Sequence, residues 1–137
     1  MKSYLLDTNS LISFVVERIP EQTTAISSRF ESAFNLECDL IVTPHVLSEF
    51  VFVLTGVYGR SDTEVSKMIN DLLDTPGIRT STAYNAALLF ELWPQAIKDY
   101  GDAFTAMVSL ELDTPILTFD KDFIKQLKRK NIPCEKP

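Results

Sequence analysis

Tyr4-Leu5-Leu6-Asp7-Thr8-Asn9 is the stretch that decides how this 137-residue chain folds. Three apolar residues read as a short buried strand, and they run directly into an aspartate. Leu11, Ile12, Phe14, Val15 and Val16 then follow with helical spacing. A strand handing over to a helix places Asp7 at the carboxyl edge of a parallel sheet, where ligand crevices form. The plainer reading makes Asp7 or Asn9 a helix cap and nothing more. The choice depends on whether other carboxylates recur in the same setting.

They do. Asp39-Leu40-Ile41-Val42 reads as a second strand, and Thr43-Pro44 opens a helix from His45 to Val57, with Thr as N-cap and Pro at the first helical position. Glu49 sits in the middle of that apolar helix, sharing a face with Val46, Phe52 and Val53, where a carboxylate is costly without a partner. Further on, Asp99-Tyr100-Gly101-Asp102 precedes a helix over Ala103–Leu112, with Asp102 predicted as its N-cap. Ile116-Leu117-Thr118-Phe119 is a strand that again runs into an aspartate, Asp120, with Asp122 following at the head of an amphipathic helix.

The remaining segments complete the alternation. Glu21–Leu36 reads as a helix with Ala25, Phe30, Ala33 and Phe34 inward, and another helix runs from Ser61 or Asp62 to Leu73. Ile78-Arg79-Thr80 is a weak strand, and Thr82–Leu92 is a helix with Ala83, Ala86, Ala87 and Phe90 inward, ended or kinked at Trp93-Pro94. Ile132-Pro133-Cys134 reads as an edge strand. Strands alternating with helices predict an α/β fold with a parallel sheet covered on both faces. Right-handed crossovers then bring the strand ends to one edge.

Composition sets the outer bounds. The length predicts one domain spanning residues 1–137, and an apolar fraction of 45% fits a globular core. No apolar run approaches the roughly 20 residues that span a bilayer, and Met1-Lys2-Ser3-Tyr4 lacks the features of a signal peptide. A cytoplasmic protein with no membrane partner is the expectation. Cys38 and Cys134 stand alone, without a second ligand at metal spacing, and read as reduced bystanders. The net charge is −6, unevenly spread: residues 121–137 hold six Lys or Arg against two Asp or Glu, and residues 1–120 hold seven against seventeen. Lys125, Lys128 and Arg129 crowd the last turns of the final helix, where they suit the helix dipole or could hold RNA phosphates. His45, one turn before Glu49, either reaches the same groove or, more commonly for a histidine at a helix start, is a surface residue, and Trp93 reads as packing.

Asp7, Glu49, Asp102 and Asp120 thus converge on one sheet edge with no arginine to offset them. At about 5 Å and an effective dielectric of about 20, each ionised pair repels by about 3 kcal/mol. A hard divalent cation relieves this, and an all-oxygen donor set selects Mg²⁺ or Mn²⁺ over zinc. Such a cation also activates water and offsets charge on a phosphoryl group.

The run Leu6-Asp7-Thr8-Asn9, a mid-helix Glu49, Asp102-Ala103 and Thr118-Phe119-Asp120-Lys121-Asp122-Phe123, in that order, resembles the PIN-domain nucleases. Among these it is most similar to the single-domain, VapC-like toxins of bacterial toxin–antitoxin pairs. The resemblance implies a three-layer α/β/α sandwich around a mainly parallel five-stranded sheet. It implies that Asp7, Glu49, Asp102 and Asp120 bind one or two Mg²⁺ or Mn²⁺ ions and cut single-stranded RNA, with Asn9 and Thr118 as polar helpers and Asp122 and Asp99 in supporting positions. A homodimer and an inhibitory antitoxin protein are implied partners. Two rivals stay open: a PIN-like module that binds RNA or protein without cutting, and a phosphatase using Asp7 as nucleophile. Against the phosphatase, the residue two positions after Asp7 is Asn9, where a second acid is expected.

Overall fold

A computed structural model describes the whole chain, Met1–Pro137. The strands are β1 (Lys2–Leu6), β2 (Cys38–Val42), β3 (Ile78–Thr80), β4 (Ile116–Leu117) and β5 (Cys134–Glu135). The helices are α1 (Thr8–Val15), α2 (Pro20–Phe34), α3 (Pro44–Gly56), α4 (Asp62–Leu73), α5 (Ala86–Leu92), α6 (Tyr100–Leu112) and α7 (Lys121–Arg129). The strands form one all-parallel, five-stranded sheet in the order β3-β2-β1-β4-β5.

Strand alternation builds the layers. Tyr4, Leu6, Leu40 and Val42 face one side of the sheet and pack with Leu11, Ile26, Phe30, Val46, Phe50 and Leu54 from α1, α2 and α3. Leu5, Ile41 and Ile116, in register across β1, β2 and β4, face the other side and pack with α5, α6 and α7 through Leu89, Met107 and Phe123. Each such side chain contributes about 1.5–3 kcal/mol by leaving water. The result is the α/β/α sandwich expected of a sheet buried on both faces.

From β1 the chain moves to β2 and β3 on one side, then crosses back to β4 and β5 on the other. The strand order therefore reverses between β1 and β4, and open α/β sheets hold their ligand crevice outside the carboxyl ends at such a point. Asp7 and Asp120 follow these two strands closely.

Several local expectations need correction. Helix α5 begins at Ala86 and not at Thr82, because the Asn85 side chain caps it by accepting from the Leu88 amide at 3.1 Å. Its buried residues are Leu89 and Leu92, and Phe90 is 54% exposed. In α2, Ile26, Phe30 and Ala33 are buried, while Phe34 is 61% exposed. In α3 the buried line is Val46, Phe50 and Leu54; Phe52 is 75% exposed, so Glu49 lies at the border of the core and not on a buried face. The N-cap of α6 is Asp99, whose Oδ1 accepts from the Asp102 amide at 2.9 Å, and the helix starts at Tyr100. Asp99 offers the same capping chemistry one turn earlier, and the carboxylate of Asp102 is left free of the backbone. Cys38 and Cys134 are free thiols, and no helix is long and apolar enough to cross a membrane.

Candidate functional site

Asp7, Glu49, Asp102 and Asp120 line one cleft of about 290 Å³ at the carboxyl edge of the sheet, together with Thr8, Asn9, Asp99 and Thr105. No Lys or Arg lines it. A larger apolar cleft of about 440 Å³, lined by Leu11, Phe14, Phe30, Phe34 and Met68 among others, contains none of the four acids.

Each acid reaches the cleft by a different local device. The Asp7 Oδ1 caps α1 by accepting from the Ser10 amide at 2.8 Å. The Asp120 Oδ1 caps α7 by accepting from the amides of Asp122 (2.9 Å) and Phe123 (3.1 Å). For these two, the plain cap and the cleft-lining acid are one side chain, with the second oxygen free of the backbone. The Glu49 Oε1 accepts from the Thr8 hydroxyl at 2.6 Å, which ties the middle of α3 to the start of α1. Asp102 sits in the first turn of α6 with no hydrogen bond to its carboxylate, while Asp99 beside it is the cap. The fully buried Thr118 accepts from the Asp120 amide at 3.1 Å and hydrogen-bonds the Asp7 carboxylate. Asn9 is an exposed part of the cleft wall.

Electrostatics separate the acids. Asp102 is pushed up to about 8, first by loss of water and then by the charges of Asp99, Asp7, Asp120 and Glu49. Burial raises Asp7, against hydrogen bonds from Thr118 and Ser10, with Asp120 adding to the rise. Glu49 moves the other way: His45 beside it and, more weakly, Thr8 hold it below the ordinary range despite partial burial. A cleft that raises Asp7 and Asp102 while holding Glu49 ionised is short of positive charge.

The sequence model of the PIN domain matches residues 4–129. The chain belongs to the PIN domain family. Among solved structures, this PIN domain is similar to VapBC2 from Rickettsia felis bound to a DNA fragment from their promoter, at a TM-score of 0.66 and 18% identity, covering 98% of both chains. It is similar also to VapBC-1 from nontypeable Haemophilus influenzae, at a TM-score of 0.69 and 16% identity, over 98% of this chain and 97% of that one. A comparison with curated protein sequences finds no match.

The donor set of this PIN domain's cleft fits a hard cation: oxygen only, acid-rich and without a counter-charge. No three of its carboxylates close on a single point at coordination distance.

Not every residue singled out in the sequence reaches the cleft. Asp122 is exposed and contributes its backbone amide to the Asp120 cap, and its side chain is not in the lining. Lys125, Lys128 and Arg129 lie on the later turns of α7, away from the capped end that faces the cleft. Trp93 packs against Phe90 and Tyr100 and donates Nε1 to the Lys98 carbonyl at 3.1 Å. Sequence reasoning missed Thr8 and Thr105, and of the two readings of His45 the structure shows the one beside Glu49, half-buried and 3.2 Å from it. Thr105 had a signal: it lies one turn after Asp102 in a helix whose neighbouring positions are small and apolar.

Proposed function

We propose that this PIN domain is a divalent-metal-dependent endoribonuclease that cuts single-stranded RNA, acting in the cytoplasm as the toxin of a toxin–antitoxin pair. The observation that carries the reading is the gathering of four carboxylates, without a cationic side chain, at the point where the strand order reverses. Family membership supports the nuclease reading, and the likeness to the two VapBC structures supports an antitoxin protein as partner; a homodimer is proposed as the working form.

Asp7, Asp102 and Asp120 would hold Mg²⁺ or Mn²⁺, with Glu49 a further ligand or the base that orients the attacking water. When bound, the cation supplies charge compensation for the phosphodiester and a water of lowered pKa. The chain's own part is positioning. Caps on α1 and α7 fix Asp7 and Asp120, Thr8 fixes Glu49, and Thr118 links the two aspartates that follow neighbouring strands, bonding the Asp7 carboxylate and accepting from the Asp120 amide. Asp102, uncommitted, is free to swing onto a cation.

Hydrolysis of a labelled single-stranded RNA, with Mg²⁺ or Mn²⁺ and then with excess chelator, tests the chemistry. Cleavage should need the metal and vanish in Asp7→Asn. Cleavage that persists in EDTA, or that prefers Zn²⁺, refutes the mechanism. Turnover of small phosphate esters alone favours the phosphatase, and tight RNA or protein binding without cleavage favours the binding module. Induced expression in a bacterial host tests the toxin role: wild type should arrest growth and Asp7→Asn should not.

A further inference from the structure

Glu49 is approached from more than one side, and the second contact comes from a residue outside the four acids and their threonine supports. His45 lies one helical turn before Glu49 on α3, and its Nε2 is 3.2 Å from the Glu49 Oε1, the oxygen that also accepts from Thr8. The Nε2 atom is buried and has no hydrogen bond of regular geometry, so this approach is short but off-line. An unprotonated Nε2 would set lone pair against lone pair, so the proton belongs on this nitrogen in the neutral ring.

The imidazole is itself clamped. It stacks on Phe104 of α6, with ring centroids 4.7 Å apart and planes 18° from parallel. Tyr100 meets it edge-on at 6.1 Å and 84°, and Phe104 is backed in turn by Tyr84 at 5.7 Å. The ring therefore cannot turn away from Glu49 without breaking an aromatic stack. Close approach of α6 completes the arrangement. A Cβ at Gly101 would stand 2.8 Å from the Glu49 Oε2, 3.0 Å from the His45 Nε2 and 3.1 Å from the Glu49 Oε1. Any side chain at position 101 would have to displace the pair. The Glu49 Oε2, by contrast, accepts no protein hydrogen bond.

We infer that His45 is a positioning residue for Glu49: the clamped imidazole and the Thr8 hydroxyl immobilise Oε1, Gly101 leaves room for the pair, and Oε2 is reserved for the divalent cation or its water. This rests on the metal-site reading under Proposed function. It differs from a packing role for His45, because what matters is a donor at the Nε2 position, and any ring-shaped filler would serve for packing.

Mn²⁺ binding, measured by titration calorimetry on the metal-free full-length chain, tests it without relying on turnover. Outer-shell partners of metal ligands typically matter by about 10–100-fold, and for a ligand as open to solvent as Glu49 the low end applies. His45→Leu, which keeps bulk and loses the donor, should weaken Mn²⁺ binding about 10-fold. His45→Gln, whose amide nitrogen reaches the Nε2 position, should return to within about threefold of wild type. Gly101→Ala should reproduce the loss with His45 intact, because the new methyl group pushes Glu49 aside. Equal affinity in wild type and His45→Leu overturns the inference, as does a Gln variant as weak as the Leu variant. If His45→Leu does not fold, His45→Phe, which keeps the aromatic stack and lacks the donor, takes its place with the same expectation and the same refuting result. A wild type that binds no Mn²⁺ overturns the metal-site reading itself, and this inference falls with it.

Discussion

Asp102→Asn should make the metal-free protein more stable. The substitution removes a charge from the cleft and nearly preserves shape, and it leaves the α6 cap intact because Asp99 provides it. In the folded chain the Asp102 carboxyl is raised from 3.8 to about 8, by loss of water first and neighbouring carboxylates second. A raised folded-state value means that ionisation opposes folding. The penalty starts as pH rises above the unfolded value, grows through neutrality and is complete above about pH 8. At 1.36 kcal/mol per pH unit, the rise from 3.8 to about 8 corresponds to about 6 kcal/mol. Asp102 is only partly buried, and solvent screening brings the figure to about 2–3 kcal/mol. At about 3–4 °C per kcal/mol for a chain of this length, metal-free Asp102→Asn should melt on the order of 5–10 °C above wild type at pH 8. At pH 5 the gain should shrink to about a third, since less of the titration lies between 3.8 and that pH. Added Mg²⁺ should raise the melting temperature of wild type more than that of the variant, by mass action on the folded form. Thermal melts in EDTA and in Mg²⁺, at both pH values, read all of this. A variant that melts at or below wild type in EDTA at pH 8 would refute the reasoning, and so would an equal response of both proteins to Mg²⁺.

Two further outcomes separate roles that coincide in single side chains. Asp120→Ala should abolish RNA cleavage and lose about 1 kcal/mol of stability with the α7 cap; Asp120→Asn, which keeps the cap, should lose cleavage and melt above Asp120→Ala, as paired activity and melting measurements would show. Replacing Lys125, Lys128 and Arg129 with Ala should lower the slope of log affinity against log salt by about one unit for each phosphate that these side chains neutralise. An unchanged slope would return these residues to a solvated helix end, which fits their place on the later turns of α7.

The layered fold was legible because burial repeats with a period: Tyr4 and Leu6 against Leu5, or Val46, Phe50 and Leu54 along α3, are patterns that one sequence carries by itself. Capping was legible as chemistry but not as position. Asp99 and Asp102 are equally good caps in isolation, and their spacing alone does not say which of them the helix uses. Phe52 and Phe90 misled for a related reason: helical spacing says which residues share a face, but not which face meets the sheet. The acids could be picked out because each follows a strand, opens a helix or interrupts an apolar one. Their supports could not, since the Thr8–Glu49 bond joins residues 41 positions apart.

In this cleft the acids are unequal in what else they do. Asp7, Asp120 and Asp99 each give one oxygen to a backbone amide at a helix start, and Glu49 gives one to Thr8. The Asp102 carboxylate gives none. On the proposed function, position 102 is therefore where mutation is least resisted: a lineage that gave up RNA cleavage while keeping its shape would most easily lose the acid there, and would gain thermal stability as it did so. On the same reading, a relative with intact acids at the other positions and a neutral residue at 102 would keep the fold and the cleft without the chemistry.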